Sequence, residues 1–400
     1  MGDFWSRVRD SVFRVGWPED DRKALLAMRS SFLLHIHAPK VRPASLAFRA
    51  TWSLGLLSVL LLGSLVLTGI YLMFYYIPHP DAAWRSMKDL AFVVPFGGIT
   101  RNLHRWGAHA MVAIVLLHMV RVFLSAGYKA PREANWVAGV VLGVLTLGLS
   151  FTGYLLPWDQ LAFWAVTVGS KMVASVPGVG EQAALLLLGD HTVGEAALLR
   201  FYVLHCVVLP VAMGGLLAFH LYRVRRDGGL VTSEHAPEAA AAEGPAAQGT
   251  AAEAPPGVVE KGPRLVPAWP HLIYREVAVA MGMTAALLVF SVLVSAPLEP
   301  EADPTRTPNP AKAPWYFLGI QELAHYSAFW GGVFIPAATV FALVILPYLD
   351  RHPEGLGRYF PRERRLASAL FLVVSAFYVV VTIVGTFFRG PAWALQWWPP

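Results

Sequence analysis

The sequence predicts an all-α transmembrane protein, a four-helix bundle followed by three further transmembrane helices, and three observations carry that prediction. Of 400 residues, 56% are hydrophobic and only 14% are charged, with a mean hydropathy of +0.51. Such a balance suits a chain dissolved in lipid rather than water. Apolar runs recur at roughly 51–77, 106–126, 136–156, 198–222, 275–296, 331–349 and 367–388. Each approaches the ~20 residues that cross a hydrocarbon core of about 30 Å at about 1.5 Å per residue. Finally, residues 229–265 are dominated by Ala, Pro, Glu and Gly with few large apolar side chains, a composition that cannot bury a core. This linker separates a four-span domain, 50–228, from a three-span domain, 266–400.

The segment 1–49 carries Trp5, Phe13 and Trp17 among alternating charges, which predicts an amphipathic stretch lying on the membrane surface. No cleavable signal is evident ahead of the first span, which is expected to direct insertion itself. Arg7, Arg9, Arg14, Arg22, Lys23, Arg29, Lys40, Arg42 and Arg49 all precede that span. By the positive-inside rule they place the amino terminus in the cytoplasm, and an odd span count places the carboxyl terminus outside. The segments bearing Lys129 and Arg132, Arg223 to Arg226, and Arg351 to Arg365 agree, whereas 78–105, with Arg85, Lys88, Arg101 and Arg105, is a basic exception. The +6 net charge and pI near 9.4 are accounted for by loops facing anionic lipid and do not point to nucleic acid. A single cysteine, Cys206, excludes an internal disulfide, a Cys-x-x-Cys-His haem attachment and a cysteine-ligated iron–sulfur cluster.

Histidine is therefore the residue left to hold a redox metal. His104 and His118 lie in the second span, and His205 and His220 in the fourth. Fourteen helical residues advance about 1,400°, leaving two side chains about 40° apart, and fifteen leave them about 60° apart. Each helix thus shows one face bearing two imidazoles about 21 to 23 Å apart along the axis. Both spans run inward from the outer side, so His104 is level with His205 and His118 with His220. Facing imidazoles at one depth suit bis-histidine ligation of a low-spin haem in a bundle core. Two non-covalent b haems would then sit one above the other. His109 lies about 140° from the His104 face and is given no ligand role. Gly55 and Gly69 in the first span, and Gly139 and Gly153 in the third, repeat the fourteen-residue stride, and a missing Cβ lets a flat macrocycle approach the backbone. Arg101 and Arg121, one turn outside the histidines of the second span, are placed to pair with haem propionates.

Arg101-Asn102-Leu103-His104 with Arg121, Gly153-Tyr154-Leu155-Leu156-Pro157-Trp158, and Arg200-Phe201-Tyr202-Val203-Leu204-His205 with Val208-Leu209-Pro210 resemble cytochrome b of bc-type quinol:cytochrome c oxidoreductases. The resemblance covers nearly the whole chain. The His205–His220 spacing is similar to the chloroplast-type branch, and the three-span half to its separate subunit IV. The resemblance implies that His104 and His205 ligate the iron of an outer, low-potential haem, and His118 and His220 that of an inner, high-potential haem. It also implies quinol oxidation at the outer face, between the loop after the third span and a Pro-Glu-Trp-Tyr motif. Here the motif reads Ala313-Pro314-Trp315-Tyr316, so the proton-accepting glutamate is absent. Trp315 and Tyr316 are expected to line the site, with Tyr316 hydrogen-bonding the quinone. Glu322, then Asp159, are the candidate carboxylates to take a proton in its place.

At the cytoplasmic haem, Arg275 and Glu276 align with a basic–acidic pair of the family that supplies protons for quinone reduction. With Ser53 where chloroplast-type relatives carry a cysteine, no covalent c-type haem is expected. The resemblance further implies a Rieske iron–sulfur protein and a c-type cytochrome as separate partner subunits, a homodimeric complex in a bacterial cytoplasmic membrane, and, from Pro314, menaquinol as substrate. A dihaem membrane anchor wiring a dehydrogenase or nitrate reductase to the quinone pool explains the histidines but not Trp315-Tyr316 or Pro157-Trp158. A haem-free transporter explains less still.

Overall fold

A computed structural model describes residues 2–12, 18–31, 34–229, 265–352 and 355–397. Phe13, Trp17 and nearly all of the expected linker lie outside these residues. Among the described residues seven helices are long and apolar enough to cross a membrane: Leu54–Met73, Gly97–Leu124, Glu133–Leu155, Glu195–Arg226, His271–Leu293, Trp330–Leu349 and Arg362–Phe387. They are the seven apolar runs, with one instructive difference at the second. There the helix starts at Gly97, nine residues before the apolar run, because backbone hydrogen bonding continues through the polar turn that carries Arg101, His104 and Arg105. Within the described residues the only strands are Lys40–Val41 and Val266–Pro267, an antiparallel pair with Lys40 opposite Pro267.

Four shorter helices, Pro80–Phe92, Gln160–Ala174, Gly180–Leu188 and Trp315–Tyr326, join spans on the side where the first, third and fifth end. The apolar faces of the first three help bury Leu90, Leu155, Trp158, Phe163, Leu198 and Phe201 in one cluster that closes this end of the bundle. Asp159 caps the Gln160–Ala174 helix by accepting the Ala162 N–H at 2.9 Å, the role expected of an aspartate at an N-cap.

Two spans contain π turns, Leu204–Val208 and Trp330–Phe334, and each is followed two residues later by a proline, Pro210 or Pro336. Proline lacks an N–H and its ring crowds the carbonyl four residues back, so an unbroken α ladder is blocked. The chain widens instead, with the Leu209 N–H reaching the Leu204 carbonyl and the Ile335 N–H reaching the Trp330 carbonyl. A π turn holds one residue more than an α turn. The fifteen residues from His205 to His220 therefore advance about as far as the fourteen from His104 to His118, and the difference of one residue, about 100° of register at 3.6 residues per turn, is absorbed.

The four-span and three-span parts pack directly on each other. Asn102 donates to the Ser291 carbonyl and accepts from the Ala296 N–H, both at 2.8 Å, and the Trp136 indole donates to the Leu343 carbonyl at 2.6 Å. On the opposite side of the bundle, Asp350 meets Lys129 at 3.0 Å, Arg364 at 3.4 Å and the Tyr128 hydroxyl. Lys129, Arg364 and Tyr128 are all buried. Burial alone would raise the Asp350 pKa, but hydrogen bonds from Tyr128 and Lys129 outweigh it and hold the carboxyl below the ordinary range. That contribution is complete above the unfolded carboxylate pKa and is lost as pH falls through the depressed folded value. Asp350→Ala strands two buried cations without a counter-charge. The expected cost is about 3–5 kcal/mol, read as a lowered unfolding midpoint of the purified protein in detergent.

Candidate functional site

The second and fourth spans bring their histidines together in pairs. The rings of His104 and His205 face each other with centroids 6.1 Å apart and planes at 76°. His118 and His220, at the other end of the same spans, lie close enough to interact electrostatically. The two spans therefore run parallel, and each pair occupies one level of the bundle.

Each imidazole is backed by one of the four glycines. A Cβ on Gly69 would stand 3.2 Å from His104 Cε1, on Gly55 3.3 Å from His118 Cε1, on Gly139 3.4 Å from His220 Cε1, and on Gly153 only 2.4 Å from His205 Cε1. The absence of a Cβ at these four positions gives the imidazole rings room against the facing helices. Three of the Nδ1 atoms are engaged: His205 with the Leu149 carbonyl at 3.0 Å, His220 with the Asn135 carbonyl at 3.1 Å, and His104 with the Thr68 hydroxyl at 3.0 Å. A carbonyl only accepts, so Nδ1 of His205 and His220 carries the proton and Nε2 keeps its lone pair for a metal. His118 Nδ1 is buried with no hydrogen-bond partner.

Between His104 and His205 lies a cavity of about 310 Å³, lined by Gly69, Gly153, Arg101 and apolar side chains that include Leu62, Met73 and Met213. Among the described residues no group of three or more His, Cys, Asp or Glu side chains converges on one point. Paired imidazoles flanking an apolar slot suit a metal that brings its other ligands with it, and haem is such a group. Arg101, which lines this cavity, donates to the Ala296 and Pro297 carbonyls at 2.8 and 2.5 Å, and Arg121 donates to the Ala50 carbonyl at 2.8 Å.

A second cavity, of about 340 Å³, adjoins the first, and Tyr154 lines both. The Pro314-Trp315-Tyr316 turn stands at the partition: Pro314 lines the second cavity and Tyr316 the first. The Trp315 indole donates to His109 Nδ1 at 3.1 Å, and the His109 ring packs against Tyr316 at 5.4 Å. His109, given no role from helical arithmetic, thus ties this turn to the second span. Asp159 also lines the first cavity and accepts the Glu299 N–H at 3.2 Å. Burial pushes its carboxyl above the usual aspartate value.

The remaining sequence candidates lie elsewhere. Glu322 is 2% exposed and lines neither cavity. Its carboxylate is taken up by Arg389 at 2.5 to 3.1 Å, the Trp393 indole at 2.8 Å and the Tyr326 hydroxyl at 3.3 Å. Burial would raise its pKa, but these donors, Arg389 foremost, bring it below the ordinary glutamate range. Arg275 donates to the Leu46 carbonyl at 2.6 Å, and Glu276 pairs with His37 at 3.0 Å. Both contacts fasten the segment before the first span to the head of the fifth, and neither His37 nor Arg389 was singled out from sequence.

Comparison with known proteins follows this geometry. The family model described as cytochrome b/b6/petB matches residues 40–228, and that described as cytochrome b (C-terminal)/b6/petD matches residues 301–395. Cytochrome b6 of Heliobacterium modesticaldum is 43% identical over 162 residues, which are 40% of this chain and 76% of that protein. The chain belongs to the cytochrome b/b6 family. The menaquinol:cytochrome c reductase cytochrome b subunit of Geobacillus thermodenitrificans is 43% identical over 164 residues, covering 41% of this chain and 73% of that one. A solved structure titled hyperthermophilic respiratory Complex III superposes with a TM-score of 0.71 at 28% identity, covering 88% of this chain and 87% of that chain. The chain is thus an integral membrane protein of a haem b and quinone family, and its apolar spans and paired imidazoles are the features that such a protein requires.

Two outcomes follow. Gly153→Ala must displace His205, because a 2.4 Å approach cannot be relieved by rotating a ring already fixed through Nδ1. The b-haem absorbance per chain should fall, whereas Gly139→Ala, at 3.4 Å, should retain it. Separately, the hydrogen bond to Glu276 raises the His37 pKa. Docking of the 34–46 segment is then strongest below the unfolded histidine pKa and weakens as pH rises through the raised folded value. The protection factors of the 34–46 amides, which discount base-catalysed intrinsic exchange, should fall over that window, and His37→Gln should abolish that fall.

Proposed function

We propose that this chain is the quinol-oxidising cytochrome b subunit of a respiratory bc-type complex. Bound between His104 and His205 and between His118 and His220, two non-covalent b haems supply one-electron carriers in series from the outer quinol site to a quinone on the cytoplasmic side. The observation that carries the proposal is the pairing of imidazoles on two levels of parallel spans, with the Pro314-Trp315-Tyr316 turn beside one level.

The residues divide the work. His104, His118, His205 and His220 would hold the haem irons, and their rings are backed by Gly69, Gly55, Gly153 and Gly139. Arg101 and Arg121 supply positive charge at the two levels. Quinol occupies the cavity behind Pro314, and Tyr154 and Tyr316 form the wall toward the outer pair. Asp159, buried and shifted toward its protonated form, is a carboxyl through which a proton can leave the wall. Glu322, committed to Arg389, anchors the Trp315–Tyr326 helix instead. Arg275 and Glu276, joined to Leu46 and His37, serve proton uptake on the cytoplasmic side. The partners are a Rieske iron–sulfur protein and a c-type cytochrome on separate polypeptides, within a homodimer in a bacterial cytoplasmic membrane. The amino terminus is cytoplasmic, the carboxyl terminus is outside, and menaquinol is the substrate. Electrons passing between the two faces while protons leave at one and enter at the other contribute to the proton gradient.

Pyridine haemochrome analysis of the purified protein should give two b haems per chain. His205→Leu should lower that number to one and abolish quinol:cytochrome c turnover. Retention of both haems in that variant, or absence of a Rieske protein and of inhibitor-sensitive turnover from the purified complex, would sink the proposal.

A further inference from the structure

The second cavity is apolar, walled by Phe151, Met172, Pro314 and Phe317. Lys312 is the single lining residue with a charged side chain, and neither a carboxylate nor an imidazole lines the cavity. The Lys312 ammonium donates to the Thr386 carbonyl at 2.7 Å, and among the described residues no carboxylate pairs with it. Each element around the cavity presents a neutral group. The third span offers the Tyr154 hydroxyl, and the Gln160–Ala174 helix offers the Trp164 indole, whose Nε1 is buried without a hydrogen-bond partner. Gln321, from the Trp315–Tyr326 helix, is already committed through both amide atoms to the Ala311 carbonyl and the Ala313 N–H. Glu322 and Arg389 neutralise each other outside the cavity. Among the described residues the lining thus brings one lysine and neither a carboxylate nor an imidazole to a substrate, with the Arg105 guanidinium over the Tyr154 ring at 5.0 Å.

An electron is far harder to remove from a neutral dihydroxyaromatic than from its mono-anion, so quinol oxidation begins with the loss of a proton. We propose that the Lys312 ammonium activates quinol in this cavity by stabilising the mono-anion formed when the first hydroxyl proton passes to water. This rests on the quinol-oxidising reading above. The O–H bond of one hydroxyl breaks, its electron pair stays on oxygen beside Lys312, and the proton leaves past the half-buried lysine to solvent. The mono-anion then gives up two electrons and its second proton to become quinone. One electron goes to the iron–sulfur partner, and the other leaves by the route on the His104–His205 side. A cation within about 4–6 Å lowers the pKa of an acid by about 1–3 units, enough to bring a useful fraction of quinol into its reactive form. Burial draws the pKa of the lysine down from its ordinary value, and a bound anion would restore it.

The test is the pH profile of quinol oxidation by the purified whole complex, with a short-chain synthetic menaquinol as substrate. Haem absorbance in each variant reports assembly. Lys312→Met and Lys312→Gln should move the acid limb of kcat to higher pH by about one to two units. At a fixed pH on that limb the rate should drop about ten- to a hundredfold. Lys312→Arg, which keeps the charge, should leave the limb in place. An unmoved limb in both neutral variants overturns the proposal, and so does a displacement that arginine fails to prevent, since that would mark a neutral amine acting as base. Should the methionine variant not assemble, the glutamine variant, which can still donate to the Thr386 carbonyl, gives the same reading. A parent complex that oxidises no quinol at any pH would refute the functional proposal rather than the role of Lys312.

Discussion

The structure depends on the contact between a missing side chain and an imidazole. Four histidines project into a lipid-embedded bundle where an unsatisfied polar ring is costly, and each finds its place because the facing helix has hydrogen where other residues have Cβ. The tolerance is narrow, from 2.4 Å at Gly153 to 3.4 Å at Gly139. Backbone carbonyls then fix the orientation of two rings through Nδ1. Position comes from the glycines of the first and third spans, and direction comes from hydrogen bonds.

Proline shapes what the glycines leave open. Pro210 forces a π turn through His205, and that turn supplies the extra residue that keeps His205 and His220 in step with His104 and His118. Pro336 does the same at the head of the sixth span, next to Gly332 and Val333, which line the second cavity. On the other wall, Trp158 adopts a left-handed backbone (φ 52°), while its carbonyl receives the Ala302 N–H and its neighbour Gln160 donates to the Pro300 carbonyl at 2.9 Å. The loop after the third span and the loop before Trp315–Tyr326 are thus laced together by main-chain bonds, and the two cavities lie where those loops meet the bundle.

Much of this was legible in the sequence, because lipid permits so few solutions. The spans follow from apolar length, and the level pairing of the histidines follows from helical periodicity. The glycine stride was visible as well, although its meaning was not. Spacing along one helix cannot say whether the neighbouring helix brings a ring edge or a macrocycle into the gap. Glu322 stood out as an isolated acidic residue, yet its partner Arg389 lies 67 positions away, a separation that no local pattern bridges. His109 and His37 were passed over for the same reason, since Trp315 and Glu276 reach them from distant segments. Lys312 carries no local signal in the sequence, and its place in the cavity wall emerges only once the chain is folded.

The buried cluster of Asp350 with Lys129, Arg364 and Tyr128, together with the short strand pair of Lys40–Val41 and Val266–Pro267, welds the four-span part to the three-span part. What the covalent join adds is a matter of numbers rather than of strength. It ensures that the two parts are made in equal amounts, and it turns their meeting into an intramolecular event whose effective concentration does not depend on how much protein the membrane holds. A cell diluting this protein through its membrane would dilute the assembled pair and never its separate halves.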